Sequence, residues 1–172
     1  EEITIEDLRV RTQQVIDREV DVVRNQLLRN HVQVLPGSAR FVDPHTVKVE
    51  HPRRPPLLLS ADVILIACGS RPHRPPQFDF DGGGIYDSNT FIRADCMPQS
   101  LVVVGAGPIG CELAQSFARL GSQVTQIEML PRIMIREDEE VSAYARKALE
   151  ADGVTILTGH KALRCEKRGE AR

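Results

Sequence analysis

The sequence predicts an α/β fold, because short apolar segments alternate with helical segments through its second half. The predicted elements are a strand at 101–104, a helix at 108–120, a strand at 123–128, a helix at 138–151 and a strand at 154–158. Strands joined through helices are typical of a parallel sheet, since a parallel pair needs a long crossover connection. A glycine-rich motif at 105–110 lies between the first of these strands and the first helix.

The first half of the chain begins with a long predicted helix. Residues 1–30 carry apolar side chains at helical spacing, as at Ile16 and Val20, and Thr4 with Asp7 resembles a capping box. We interpret this segment as a helix that packs against the rest of the protein. Self-association through the same apolar face is the alternative.

Strands are predicted after this helix. Short β-branched segments at 40–42 and 46–49 predict a hairpin. The Pro- and Arg-rich segment 51–56 predicts an exposed loop, and residues 57–60 predict a further strand. The uninterrupted apolar segment 61–67 predicts a strand that is buried on both faces of a sheet. The first half is therefore expected to hold a helix, a β-meander and a buried strand.

Proline and glycine predict where the chain divides into domains. Both are frequent from 72 to 98, which includes Gly82, Gly83 and Gly84, and this composition is typical of a surface connection. We expect a first domain at 1–77, a linker at 78–98 and a second domain at 99–172, the second incomplete at its C-terminus.

Composition limits the classes of function. The 172 residues are 41% hydrophobic and 27% charged, as is typical of a soluble globular protein. The net charge of −2 favours neither nucleic acid nor an anionic membrane as a partner. No apolar run approaches the roughly 20 residues that span a bilayer, so we expect a cytoplasmic protein. The cysteines lack metal-ligand spacing, and we predict no metal site and no catalytic residue.

The glycine-rich motif predicts a Rossmann-like βαβ unit that binds a dinucleotide. Gly105 permits a tight turn out of the strand, Gly107 lets a pyrophosphate approach the backbone, and Gly110 lets the helix pack closely on the sheet. The helix N-terminus would offer N–H groups and a positive dipole end to the phosphates. A turn that binds nothing is the less favoured interpretation. The predicted contacts are Gly105, Ala106, Gly107, Pro108, Ile109 and Gly110.

Glu128 predicts which dinucleotide binds. It ends the second strand, where a carboxylate can accept hydrogen bonds from the adenosine ribose and would repel the 2′-phosphate of NADP. Arg132 lies close enough along the chain to favour the opposite, but no second cation accompanies it. These residues therefore favour NAD(H), although the same motif could hold FAD.

Four segments together resemble the pyridine nucleotide–disulfide oxidoreductase family of flavoproteins. They are 37–43, 66–72, 85–88 and 105–112, and their order and spacing match that family over nearly the whole chain. The resemblance implies that Glu112 faces the nicotinamide, so that the motif is the NAD site.

The resemblance also assigns roles to residues that the motif does not reach. It implies that Glu128 binds the ribose and that Ala162 lies near the adenine. Contacts with FAD through backbone atoms are implied for Ala39, Cys68, Gly69 and Ser70, with Cys68 where the family usually has threonine.

The resemblance implies a fragment of a larger flavoenzyme. The family's FAD fingerprint and active-site cysteine segment are absent from these 172 residues. We expect the NAD(H)-binding part of a homodimeric, FAD-dependent oxidoreductase that passes hydride between NAD(H) and NADP(H), with the fragment inactive alone. The alternatives are a fragment of a disulfide oxidoreductase like dihydrolipoamide dehydrogenase and a non-enzymatic module that senses NAD(H).

Overall fold

The computed structural model describes residues 4–80, 84–91, 94 and 96–166. The chain divides into two compact units. We call Arg11–Arg71 the meander unit, and Glu1–Val10 with Pro72–Arg172 the parallel-sheet unit.

Helix α1 spans Ile5–Arg29 and begins at the predicted capping box. The backbone N–H of Thr4 donates to Asp7 Oδ2 at 2.9 Å, and the N–H of Asp7 donates to Thr4 Oγ1 at 3.2 Å. Hydrogen bonds from Thr4 hold the pKa of Asp7 below its usual value. No side chain of α1 is buried, so the role of its apolar face stays a prediction.

The meander unit contains three antiparallel strands in the order β1-β2-β3. They are β1 Ser38–Asp43, β2 Thr46–His51 and β3 Arg54–Ser60. The predicted hairpin is therefore confirmed. Gly37 enters β1 at φ 153°, where an added Cβ would lie 2.6 Å from the carbonyl oxygen of Glu50, so only glycine fits there.

The loop predicted at 51–56 is wrong for its second half. Strand β3 begins at Arg54 and contains Pro55 and Pro56. Proline is tolerated because β3 is an edge strand and its pairing with β2 is irregular between Val49 and His51, where fewer N–H donors are needed.

The buried strand predicted at 61–67 is also wrong. This segment forms no strand, and the exposed fractions of Val63, Leu65 and Ile66 are 85%, 87% and 70%. Its first residue, Ala61, donates its N–H to His45 at 2.9 Å. A buried strand needs neighbouring strands on both sides, and no strand pairs with 61–67 in the described part of the chain.

The parallel-sheet unit confirms the predicted α/β fold. Its elements are β4 Ser100–Val104, α2 Pro108–Arg119, β5 Gln123–Glu128, α3 Glu139–Ala151 and β6 Thr155–Thr158. The strands are parallel in the order β4-β5-β6, with Val103 opposite Gln126 and Gln126 opposite Ile156.

The core of this unit lies where the helices cover the sheet. Ala114 and Phe117 of α2 are buried with Val124 of β5 and Leu149 of α3. Phe91, within the predicted linker, packs edge-on against Phe117 with ring centroids 6.3 Å apart. The linker boundaries stay a prediction, and Gly82 and Gly83 lie outside the described residues.

A hydrogen-bonded cluster joins the C-terminal ends of α2 and α3. Gln115 Nε2 donates to Asp152 Oδ2 at 2.6 Å, and Arg119 Nε donates to the same oxygen at 3.0 Å. These bonds, chiefly the one from Gln115, hold the pKa of Asp152 below its usual value. The cluster holds the two helices together at the end of α2 opposite residues 105–110, which we call the glycine turn.

Truncation within α3 tests this core. We expect Leu149→Ala to lower the free energy of unfolding by about 2–5 kcal/mol, because it leaves a cavity beside α2. Tyr144→Ala on the same helix is the matched control, since Tyr144 is 78% exposed. Urea unfolding followed by circular dichroism measures both, and equal losses would contradict the packing described.

Candidate dinucleotide-binding site

The three parallel strands end at one edge of their sheet, and Gly105 and Glu128 of the predicted site lie there side by side. Gly105 follows β4 directly and donates its N–H to the carbonyl of Ile127 at 2.8 Å. Glu128 ends β5, and its carbonyl accepts the N–H of His160 at 2.9 Å. The glycine turn and the end of β5 are therefore held side by side.

The glycines of the turn have different physical reasons to be glycine. Gly105 has φ 104°, a conformation that side chains rarely adopt. A Cβ on Gly110 would overlap the carbonyl oxygen of Gly105, so its absence lets α2 approach the turn. No atom lies within 4 Å of a Cβ built on Gly107, which leaves open space beside its backbone.

The N-terminus of α2 is open to an anionic group. Gly107 is the N-cap, no side chain caps the helix, and Pro108 occupies the first turn. Because no side chain takes the first N–H groups of α2, they can donate to phosphate oxygens. Gly107, Pro108 and Ile109 are exposed, and the residues present therefore fit a dinucleotide pyrophosphate.

The carboxylate of Glu128 spans the turn and the loop after β5. Its Oε2 accepts the N–H of Ala106 at 2.7 Å, and its Oε1 accepts the N–H of Leu130 at 2.8 Å. Each carboxylate oxygen has a second lone pair, so ribose hydroxyls can still bind. The side chain thus both supports the turn and can bind a ligand.

Arg132 is engaged within its own loop. Its guanidinium donates to the carbonyls of Met134 at 3.2 Å and Ile135 at 3.0 Å. Met134, at φ 46°, donates its N–H to the carbonyl of Ala106 at 2.7 Å. The loop is therefore tied to the glycine turn, and Arg132 supports that arrangement.

Sequence reasoning missed Gln126. This residue of β5 is fully buried, and its Nε2 donates to the carbonyl of Gly105 at 3.1 Å. It also lies 3.7 Å from Sγ of Cys111, whose pKa is raised by burial. The available signal was its spacing, two residues after Val124 and two before Glu128, which puts its polar side chain on the same face of β5 as those residues.

A groove of about 210 Å³ lies between α2 and α3. Glu112 is exposed on α2 and lines it, and its predicted place beside the nicotinamide stays a prediction. The groove is lined by Pro108, Cys111, Glu112, Gln115, Met134, Ala145, Ala148 and Leu149.

The remaining predicted contacts lie apart from this cluster in sequence, and their roles stay predictions. Ala162 is partly buried and follows β6. Ala39 lies in β1 opposite Val49. Cys68, Gly69 and Ser70 are exposed, and Gly69 has φ 70° with open space around it, which suits contact through backbone atoms.

The described part of the chain contains no group of three or more His, Cys, Asp or Glu side chains that could hold a metal ion. None of its helices is long and apolar enough to cross a membrane.

Comparison with known proteins identifies the family. The model of the pyridine nucleotide-disulphide oxidoreductase family matches residues 2–172. The chain belongs to this family. The resemblance predicted from its motifs is thereby confirmed.

Individual relatives are oxidoreductases. A soluble pyridine nucleotide transhydrogenase from Mycobacterium bovis (strain BCG / Pasteur 1173P2) is 44% identical over 160 residues, 92% of this chain and 34% of that protein. The dihydrolipoyl dehydrogenase of Bacillus subtilis (strain 168) is 40% identical over 151 residues, 88% of this chain and 33% of that protein. The chain therefore spans about a third of the length of these curated relatives.

A solved structure shows the same fold. The Cu(II) complex of the HOCl-induced flavoprotein disulfide reductase RclA from Escherichia coli superposes with a TM-score of 0.75 at 28% identity. The match covers 92% of this chain and 37% of that one.

A substitution at Gly110 tests the close approach of α2. We expect Gly110→Ala to lower the free energy of unfolding by about 2 kcal/mol, since the backbone shift costs more than the roughly 1 kcal/mol of helix propensity that alanine gains. Gly107→Ser is the matched control, because its side chain has open space and serine is a good N-cap. Urea unfolding measures the free energy of unfolding of both variants. A Gly110→Ala variant as stable as the control would contradict the close packing of α2 on the turn.

Proposed function

We propose that this chain is the NAD(H)-binding part of an FAD-dependent oxidoreductase that passes hydride between NAD(H) and NADP(H). The observation that carries the proposal is the carboxylate of Glu128, 2.7 Å from the N–H of Ala106 in the glycine turn. A carboxylate at the end of the second strand can accept hydrogen bonds from the ribose of a dinucleotide whose pyrophosphate binds at the N-terminus of the helix after the first strand. The N-terminus of α2, which no side chain caps, is free to bind that pyrophosphate.

Charge supports NAD(H) over NADP(H) at this site. A 2′-phosphate on the ribose would approach the carboxylate of Glu128, and like charges repel. Arg132 is the cation nearest along the chain, and its guanidinium already donates to the carbonyls of Met134 and Ile135. These carbonyl contacts would compete with a 2′-phosphate for the guanidinium of Arg132.

These contacts assign different roles to the protein and to the cofactor. The chemistry that FAD would supply, when bound in the whole enzyme, is hydride transfer. The residues of this chain bind and orient the dinucleotide: the first N–H groups of α2 hold the pyrophosphate and Glu128 holds the ribose. Ala39, Cys68, Gly69 and Ser70 are the proposed flavin contacts.

A disulfide oxidoreductase is the second candidate for the whole enzyme. The observation that favours it is the 40% identity to dihydrolipoyl dehydrogenase. The 44% identity to a soluble transhydrogenase, over slightly more of the chain, supports the first candidate. Both candidates use the same NAD(H) site, so the binding experiments below apply to either.

Cofactor preference tests the role of Glu128. We expect the chain to bind NADH at least about tenfold more tightly than NADPH, the scale of one unfavourable charge contact at a partly exposed site. Glu128→Gln should narrow this ratio, because it removes the charge and keeps the shape. Isothermal titration calorimetry with both nucleotides gives the ratio.

The ratio is the informative quantity because Glu128 also supports the turn. The substitution weakens that support for both nucleotides. The resulting loss of affinity therefore cancels in the ratio of the two dissociation constants. Glu150→Ala is the control: it removes an exposed carboxylate, paired with Arg146, near the far end of α3. Equal affinities for NADH and NADPH in the unmutated chain would refute the assignment.

The open backbone at Gly107 gives a separate test of pyrophosphate binding. Gly107→Ser should weaken NADH binding about tenfold or more while stability is retained, because its side chain occupies the open space and its hydroxyl can take a helix N–H. Titration of the folded variant with NADH measures this. Unchanged affinity would show that the turn does not hold the phosphates.

A further inference from the structure

Gln126 places an amide group inside an apolar sheet. Its neighbours across the strands are Val103 of β4 and Ile156 of β6, and its side chain is 0% exposed. Burying an amide costs free energy unless each polar atom finds a partner. An apolar side chain would fill the same space without that cost, so packing alone does not account for glutamine here.

The amide is only half satisfied. Its Nε2 donates to the carbonyl of Gly105 at 3.1 Å, whereas its Oε1 is buried with no hydrogen-bond partner in the described structure. Leaving a buried acceptor unpaired costs as much as a typical hydrogen bond contributes. The bond to Gly105 therefore adds little net stability, and its effect is on the geometry of the turn.

Gln126 and Glu128 hold the same peptide group. Side chains two residues apart on a strand point to the same face. The carbonyl of Gly105 and the N–H of Ala106 belong to one planar peptide unit. Gln126 binds its oxygen at 3.1 Å, and Glu128 binds its N–H at 2.7 Å. We call this pair of bonds the peptide clamp.

The clamp acts where the backbone is least restricted. Gly105 has φ 104°, and glycine has more conformational freedom to lose than any other residue. The carbonyl oxygen and the N–H lie at opposite edges of the planar peptide unit, so a hydrogen bond to each resists rotation of that unit. They also fix the Glu128 carboxylate relative to the turn, which sets the distance between the ribose contact and the phosphate contacts.

We propose that Gln126 is a positioning residue for dinucleotide binding, which acts by holding the peptide between Gly105 and Ala106 together with Glu128. This inference rests on the proposed function. A turn that is already ordered loses less conformational freedom when the nucleotide binds, so the clamp strengthens binding without contacting the ligand.

The test separates affinity from stability. Gln126→Met keeps an unbranched side chain of similar length and removes the amide. We expect the Kd for NADH to rise about tenfold, the equivalent of one hydrogen bond, with the urea midpoint nearly unchanged. Val124→Ala, buried on the same face of β5, is the matched control: it should lower the midpoint and leave the Kd within about twofold.

A second readout needs no nucleotide. Amide hydrogen exchange by NMR should be faster at Ala106 in Gln126→Met than in the unmutated chain, relative to other amides of β4 and β5. Val124→Ala should show no selective change at Ala106. This measurement reports on the clamp itself, whether or not a dinucleotide binds.

The Kd for NADH and the hydrogen exchange at Ala106 test different parts of the proposal. An unchanged Kd in Gln126→Met would overturn the positioning role. Unchanged exchange at Ala106 would overturn the clamp. If the unmutated chain bound no NADH, the proposed function and the positioning role would both be refuted, and the exchange at Ala106 alone would decide whether the clamp exists.

Discussion

The parallel pairing of β4 with β5 is the constraint on which the rest of the parallel-sheet unit depends. It sets Val104 opposite Ile127, so the chain leaves β4 beside the end of β5. From that register follow the contact of Glu128 with Ala106 and the place of α2 over the sheet. A shift of one residue would turn the side chains of β5 to the other face and abolish these contacts together.

Much of this unit could be predicted because its signals are local. The five elements between Ser100 and Thr158 lie within a residue or two of their predicted limits. Apolar periodicity and the places of glycine are properties of short segments, and the pairing of the strands follows from their alternation with helices. The proximity of Glu128 to the turn follows in the same way, since parallel strands end at one edge.

The features that were predicted wrongly or missed depend on residues that are distant in the sequence. The segment 61–67 has the composition of a buried strand, but burial depends on neighbouring strands that composition does not specify. Strand β3 was predicted only from residue 57, and its first residues were assigned to a loop, because Pro55 and Pro56 are poor in a central strand and acceptable at an edge. The hydrogen bond of Gln126 was missed because β5 contains several polar residues, and only the position of the Gly105 carbonyl distinguishes Gln126 from the others.

The segment from Val63 to Cys68, mostly exposed in this structure, has the composition of a strand that seeks a partner. It is six residues long, rich in β-branched side chains, and free of charge and proline. An extended segment of this composition is a template for strand addition between molecules. An element that paired with this segment would cover its apolar side chains and complete a sheet.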